Sequence, residues 1–147
     1  YLIASSSMPL VSQIVEVDGK LLLDGGTSDS VPLLHSILTG ANKHVVVLTQ
    51  AHDYVKRANK LMALMRQRYA DYPYYLERLQ YRHYEYNRLY RWIAREEAAG
   101  RIFVIRPPEP VTVSSMEHDA EKLLALYEQG LAAAAKAWPK LQEYLAS

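Results

Sequence analysis

The stretch KLLLDGGTSDSVPL, residues 20–33, decides how the chain is read, because it sets a carboxylate at the end of a hydrophobic run and directly before two glycines. Two readings of Asp24 compete. Asp-Gly is a common turn signal, in which the side chain folds back onto its own backbone. An aspartate at the carboxyl end of a strand also stands where open α/β sheets place their ligand sites, a position suited to a general base. Gly25 and Gly26, lacking Cβ atoms, let backbone and substrate approach closely. Spacing alone leaves both readings open.

Immediately upstream, QIVEV (13–17) and KLLL (20–23) flank Asp18-Gly19, the dipeptide that best tolerates the positive φ angles of a two-residue hairpin turn. Downstream, LLHSILTGANK (33–43) reads as a short helix ending near Gly40, and HVVVLTQ (44–50) as a strand of the kind buried on both faces. Strand, short helix and buried strand in that order indicate part of an α/β sheet. From Tyr54 to Tyr69, apolar residues recur every three or four positions, and a second helix is expected from Pro73 to a stop at Gly100. RIFVIRPPEP (101–110) supplies one more short strand near 102–106, ended by prolines that cannot donate to a ladder. The remainder, from about Met116 to Leu145, reads as helical with a break at Pro139. The organisation is thus an early α/β part over residues 1–52 and a mainly helical region over residues 53–147.

Composition narrows the function classes. The chain has 147 residues, half of them hydrophobic, enough for a packed core. A formal net charge of +1 gives no global case for nucleic acid or an anionic membrane, and no nucleic-acid partner is expected. The absence of cysteine removes disulfides, thiolate metal sites and a cysteine nucleophile, and a cytoplasmic location is the default expectation. The chain opens YLIASSSMP without an initiator methionine, which suggests a piece of a longer protein.

ASSSMPLV (4–11), followed by DGGTSDSVPL (24–33), closely resembles the second half of the catalytic domain of patatin-like phospholipases. In that family a small Ala-Ser-Ser segment precedes a proline, and an Asp-Gly-Gly or Asp-Gly-Ala motif follows. IFVIRPPEPVTVSSMEHDAEKLLALYEQG (102–130) is similar to the helical C-terminal region of the family's bacterial branch, so the resemblance spans essentially the whole chain. It implies a three-layer α/β/α fold with a mainly helical C-terminal extension. It further implies acyl-ester hydrolysis by a Ser-Asp dyad, without metal or cofactor. Asp24 would take the serine proton, and Gly25 and Gly26 would shape its turn. The chain departs from the pattern in two respects: it contains no Gly-x-Ser-x-Gly elbow and no upstream Gly-rich loop. GTSDS (26–30) has serine where the second glycine belongs. The chain alone is therefore expected to be inactive. Its expected partners are a lipid or acyl-ester substrate and either the missing N-terminal half of the catalytic domain or a second copy.

Other candidates have simpler readings. Ser5, Ser6 and Ser7 precede a proline, as a packing or helix-start segment does. His35, His44, His52, His83 and His118 show no metal-ligand spacing, and Asp53 reads as a helix N-cap. Between Arg66 and Arg95, seven arginines face three acids, a local net of +4, and eight tyrosines lie between Tyr69 and Tyr90. Such a segment packs tyrosines inward with arginines outside, or meets a lipid surface as a non-catalytic module with peripheral membrane contact, or stacks on single-stranded nucleic acid.

Overall fold

The computed structural model describes residues 1–114 and 117–147. It is a mixed α/β architecture with a mainly helical C-terminal region. The elements in order are α1 (Leu2–Ser5), β1 (Val15–Val17), β2 (Lys20–Leu22), a 3-10 turn (Gly25–Thr27), α2 (Leu33–Leu38), β3 (Val45–Val47), α3 (Met62–Arg68), α4 (Pro73–Ala98), β4 (Phe103–Ile105) and α5 (Ala120–Ala146). Packing divides them into two units, Tyr1–Pro32 with Lys56–Tyr90, and Leu33–Val55 with Arg91–Ser147.

In the first unit, β1 and β2 form the expected hairpin, with Val15 opposite Leu22 and Val17 opposite Lys20. Asp18 and Gly19 both take positive φ, 51° and 71°, the geometry the dipeptide was read for. The core gathers around Met65, Tyr69 and Leu79, against which Leu10, Ile14, Leu23, Tyr72, Tyr75 and Leu76 pack. Leu23 thus anchors the end of the hairpin one residue before Asp24. Leu10 holds a left-handed φ of 68°, costly for a branched side chain, and its N–H donates to the buried Tyr69 hydroxyl at 3.0 Å.

The expected helix from Tyr54 is shorter than its apolar spacing indicates. It begins at Met62, after residues 54–60 run without helix, and Asp53 caps nothing. Side-chain hydrogen bonding explains the loss. Asn87 accepts from the Lys56 N–H at 2.8 Å and donates to the Lys56 carbonyl at 2.9 Å, so the backbone of this segment is tied to α4 and not to its own turn.

In the second unit, β3 and β4 pair in parallel, Val45 with Phe103 and Val47 with Ile105. β3 is not buried on both faces as its composition indicates. Val46 is buried, whereas Val45 and Val47, which alternate to the other face of the sheet, are exposed. Gly40, at φ 81°, lies just beyond α2, and Gly100, at φ 70°, just beyond α4, as the stop signals required. The expected start of the last helix at Met116 lies outside the described residues; α5 begins at Ala120, with the Asp119 carboxylate accepting from the N–H groups of Glu121 and Lys122. Pro139 does not break it. α5 continues through the proline because residues beyond it are tied down: Leu141 is buried, and the Tyr144 hydroxyl accepts from the His44 N–H at 3.1 Å and donates to the Arg101 carbonyl at 3.0 Å.

Candidate functional site

The chain turns sharply after β2, and the Asp24 side chain is part of that turn. Its Oδ1 accepts from the Gly26 N–H at 2.7 Å, while the Thr27 hydroxyl donates to the Asp24 carbonyl at 2.7 Å. Asp24 is therefore a turn residue in its local geometry. That role uses one carboxylate oxygen, and Oδ2 accepts no hydrogen bond from the described residues.

The Asp24 N–H donates to the Ser7 carbonyl at 2.9 Å. ASSSMPLV and DGGTSDSVPL are thereby neighbours in space as well as in order. The three serines of the first segment face their own helical turn: Ser5 Oγ donates to the Leu2 carbonyl at 2.8 Å, and Ser6 and Ser7 donate to that of Ile3 at 3.1 and 2.8 Å. Such back-bonding holds their hydroxyls on backbone oxygens.

One face of α4 presses on the same turn. Tyr75, Arg78, Arg82 and Tyr86 recur at three- and four-residue spacing, which puts them in one row. Arg82 Nε donates to the Gly26 carbonyl at 2.8 Å, and Arg78 Nη2 donates to the Ser28 carbonyl at 3.3 Å. A Cβ added to Gly26 would sit 3.0 Å from Asp24 Oδ1 and 3.8 Å from Arg82 Nη2, so carboxylate and guanidinium face one point that only glycine leaves open. Tyr75 lies beside them. Burial lifts its phenol above the ordinary value and Thr27 acts in the opposite sense, with weaker effects from Tyr69, Arg82 and Asp24. Lys56 completes the group, its ammonium 4.6 Å from the centroid of the Tyr86 ring. Burial first, and then the positive charge of Arg82, hold the Lys56 ammonium below its ordinary pKa.

The arginine and tyrosine segment does not separate into an inner aromatic and an outer cationic face. Tyr69 and Tyr90 are buried and Arg82 is turned inward, whereas Tyr74, Tyr81 and Tyr84 are exposed. Arg82, Tyr75 and Lys56 were not singled out from the sequence. The helical spacing of Tyr75, Arg78 and Arg82 was the one available sign of a shared face, and nothing local told which element that face would meet.

The histidines do not converge. His44 Nδ1 lies 3.0 Å from the Ser36 hydroxyl, and the His83 ring lies 4.0 Å from that of Tyr84. No group of three His, Asp or Glu residues able to hold a metal occurs among the described residues. In the second unit, a cavity of about 350 Å³ is bordered by Pro110, Val113, Glu117, Lys122 and Leu126.

A family profile described as a domain of unknown function (DUF6363) matches residues 72–146, a segment that carries Tyr75, Arg78, Arg82 and Asn87. No curated protein and no solved structure matches the chain.

Proposed function

The chain belongs to the DUF6363 family, and from its own segments around Asp24 we propose that it is the aspartate-bearing part of a patatin-like serine acyl hydrolase with a three-layer α/β/α catalytic fold. The observation that carries this reading is the hydrogen bond from the Asp24 N–H to the Ser7 carbonyl. It joins, at the end of a strand, two of the three segments on which the resemblance rests. Asp24 would act as general base, its Oδ1 steadied by the Gly26 N–H and its Oδ2 free to take the proton of a serine supplied from outside this chain. Arg82 would be a positioning residue, holding the turn through the Gly26 carbonyl. The acyl chain would meet the protein at a lipid surface, and the exposed Tyr74, Tyr81 and Tyr84 of α4 fit a peripheral contact with it.

The test is p-nitrophenyl ester hydrolysis by the protein together with the part that supplies the serine. Asp24→Asn is expected to lower kcat by about 10²–10⁴, the usual contribution of a general base, while leaving the thermal melt within a few degrees. A variant that keeps most of its activity removes Asp24 from the chemistry. The 147-residue chain by itself is expected to turn over no ester.

A further inference from the structure

Lys56, Arg78 and Arg82 make no ion pair with a carboxylate among the described residues; the described ion pairs lie elsewhere, at Arg88, Arg101, Arg106 and Lys122. Two of the three are part-buried. Lys56 is not there by drift of a flexible loop, because Asn87 holds its backbone from both sides, through N–H and carbonyl. The Tyr86 ring forms a wall under its ammonium. Arg82 spends Nε on the Gly26 carbonyl, and its Nη atoms make no hydrogen bond to the described residues. Asp24 faces Arg82 across the Gly26 position without closing an ion pair.

Tyr86, whose ring the Lys56 ammonium overlies, follows Arg82 by one turn of α4, so the two cations stand on one side of that helix, with the Asp24 carboxylate beyond Gly26. Two like charges so placed and partly withdrawn from water raise the free energy of the empty protein, and an anion seated between them lowers it. We propose that Lys56 and Arg82, with Tyr86 as the aromatic wall, form a binding site for a phosphoryl-type oxyanion. A compact ammonium and a guanidinium fork from different segments suit a tetrahedral group with several acceptor oxygens, and two positive charges match a dianion better than a carboxylate. The asparagine clamp is the feature that makes this a built site, since it fixes where the lysine stands. The site rests on the geometry of the first unit and not on the hydrolase reading.

The probe is inorganic phosphate, titrated into the protein at constant ionic strength with chloride making up the balance, and read by thermal melting and by side-chain NMR of the lysine and arginine nitrogens. Saturable stabilisation by phosphate but not chloride is expected. Lys56→Met is expected to weaken it about tenfold or more, as loss of one charge-assisted hydrogen bond does. Lys56→Arg, which keeps the charge, is expected to hold binding within about threefold on the same scale. Arg82→Lys, which keeps a donor for the Gly26 carbonyl, is the second variant and is expected to weaken binding while the melt in chloride stays close to that of the parent. No saturable response to phosphate overturns the proposal, and so does equal binding by the parent and Lys56→Met. Vesicles of phosphatidic acid in phosphatidylcholine, set against phosphatidylcholine alone, separate the sources of the oxyanion. Capture lost in Lys56→Met assigns the site to a lipid phosphomonoester, and a response to phosphate without capture assigns it to a soluble one. Ester turnover is not part of the readout, so this site and the Asp24 dyad fail separately.

Discussion

Gly25 and Gly26 look equivalent in sequence and are not equivalent in space. A Cβ on Gly25 would meet nothing within 4 Å, whereas one on Gly26 would stand 3.0 Å from Asp24 Oδ1. Gly26→Ala is therefore expected to push the carboxylate off the Gly26 N–H and to cost about 1 kcal/mol or more, the worth of a part-buried hydrogen bond. Gly25→Ala is expected to leave stability unchanged or to raise it slightly, because it only restricts the unfolded chain. Urea denaturation of the two variants checks the contrast, and equal losses would mean that the turn tolerates neither residue for a reason other than this contact. At this scale the sequence located Asp24 and its glycines but could not rank them. Asp-Gly turn chemistry suits a glycine at either position, and which of the two meets the Asp24 carboxylate is decided only by the closed turn, whose Gly26 carbonyl is held by an arginine 56 residues away.

Among the elements, those set by local chemistry were legible. The Asp18-Gly19 hairpin, the stops at Gly40 and Gly100 and the start of α4 at Pro73 follow from what those residues can do with φ and with a missing N–H. Elements whose form depends on distant partners were not. Residues 54–60 carry helical spacing, yet the Asn87 side chain takes the Lys56 backbone groups that a helix would use. Pro139 carries a stop signal, yet α5 runs through it because Leu141 and Tyr144 are fixed beyond it. Inside a helix a proline lacks the N–H for the carbonyl four residues back, and relative to alanine it costs about 3 kcal/mol. Pro139→Ala is expected to raise the free energy of unfolding by about 1–3 kcal/mol in a denaturant titration. A loss of stability would show that the bend a proline introduces is needed to seat Leu141.

For the whole molecule, the Lys56 and Tyr75 groups predict how stability responds to alkaline pH. The folded state lowers the Lys56 pKa below its unfolded value of 10.5, so between the two values the unfolded chain binds more protons, and stability rises with pH across that window. Tyr75 has a raised pKa, so the folded state keeps its proton longer, and stability falls as pH climbs above 10.0. Urea midpoints followed from pH 7 to 11 should rise and then decline. Lys56→Met should remove the rise and Tyr75→Phe should soften the decline. A parent curve that falls throughout would refute the Lys56 assignment. The mixed α/β class with a helical C-terminal region was legible at this scale because strand and helix periods differ. Which side chains meet at Asp24 was not, since segments far apart in sequence build the site.

The Tyr144 hydroxyl joins backbone groups of His44 and Arg101, beside the first pair of a parallel ladder whose strands are already far apart in the chain. Parallel pairing across so long a loop is slow to form and leaves backbone groups unpaired until it does. During synthesis, both strands emerge well before the residue that fastens them together. A nascent chain halted after β4 would hold a loose pair of strands, exposed to proteases and to other chains, and the same pair should become resistant only once α5 has been released.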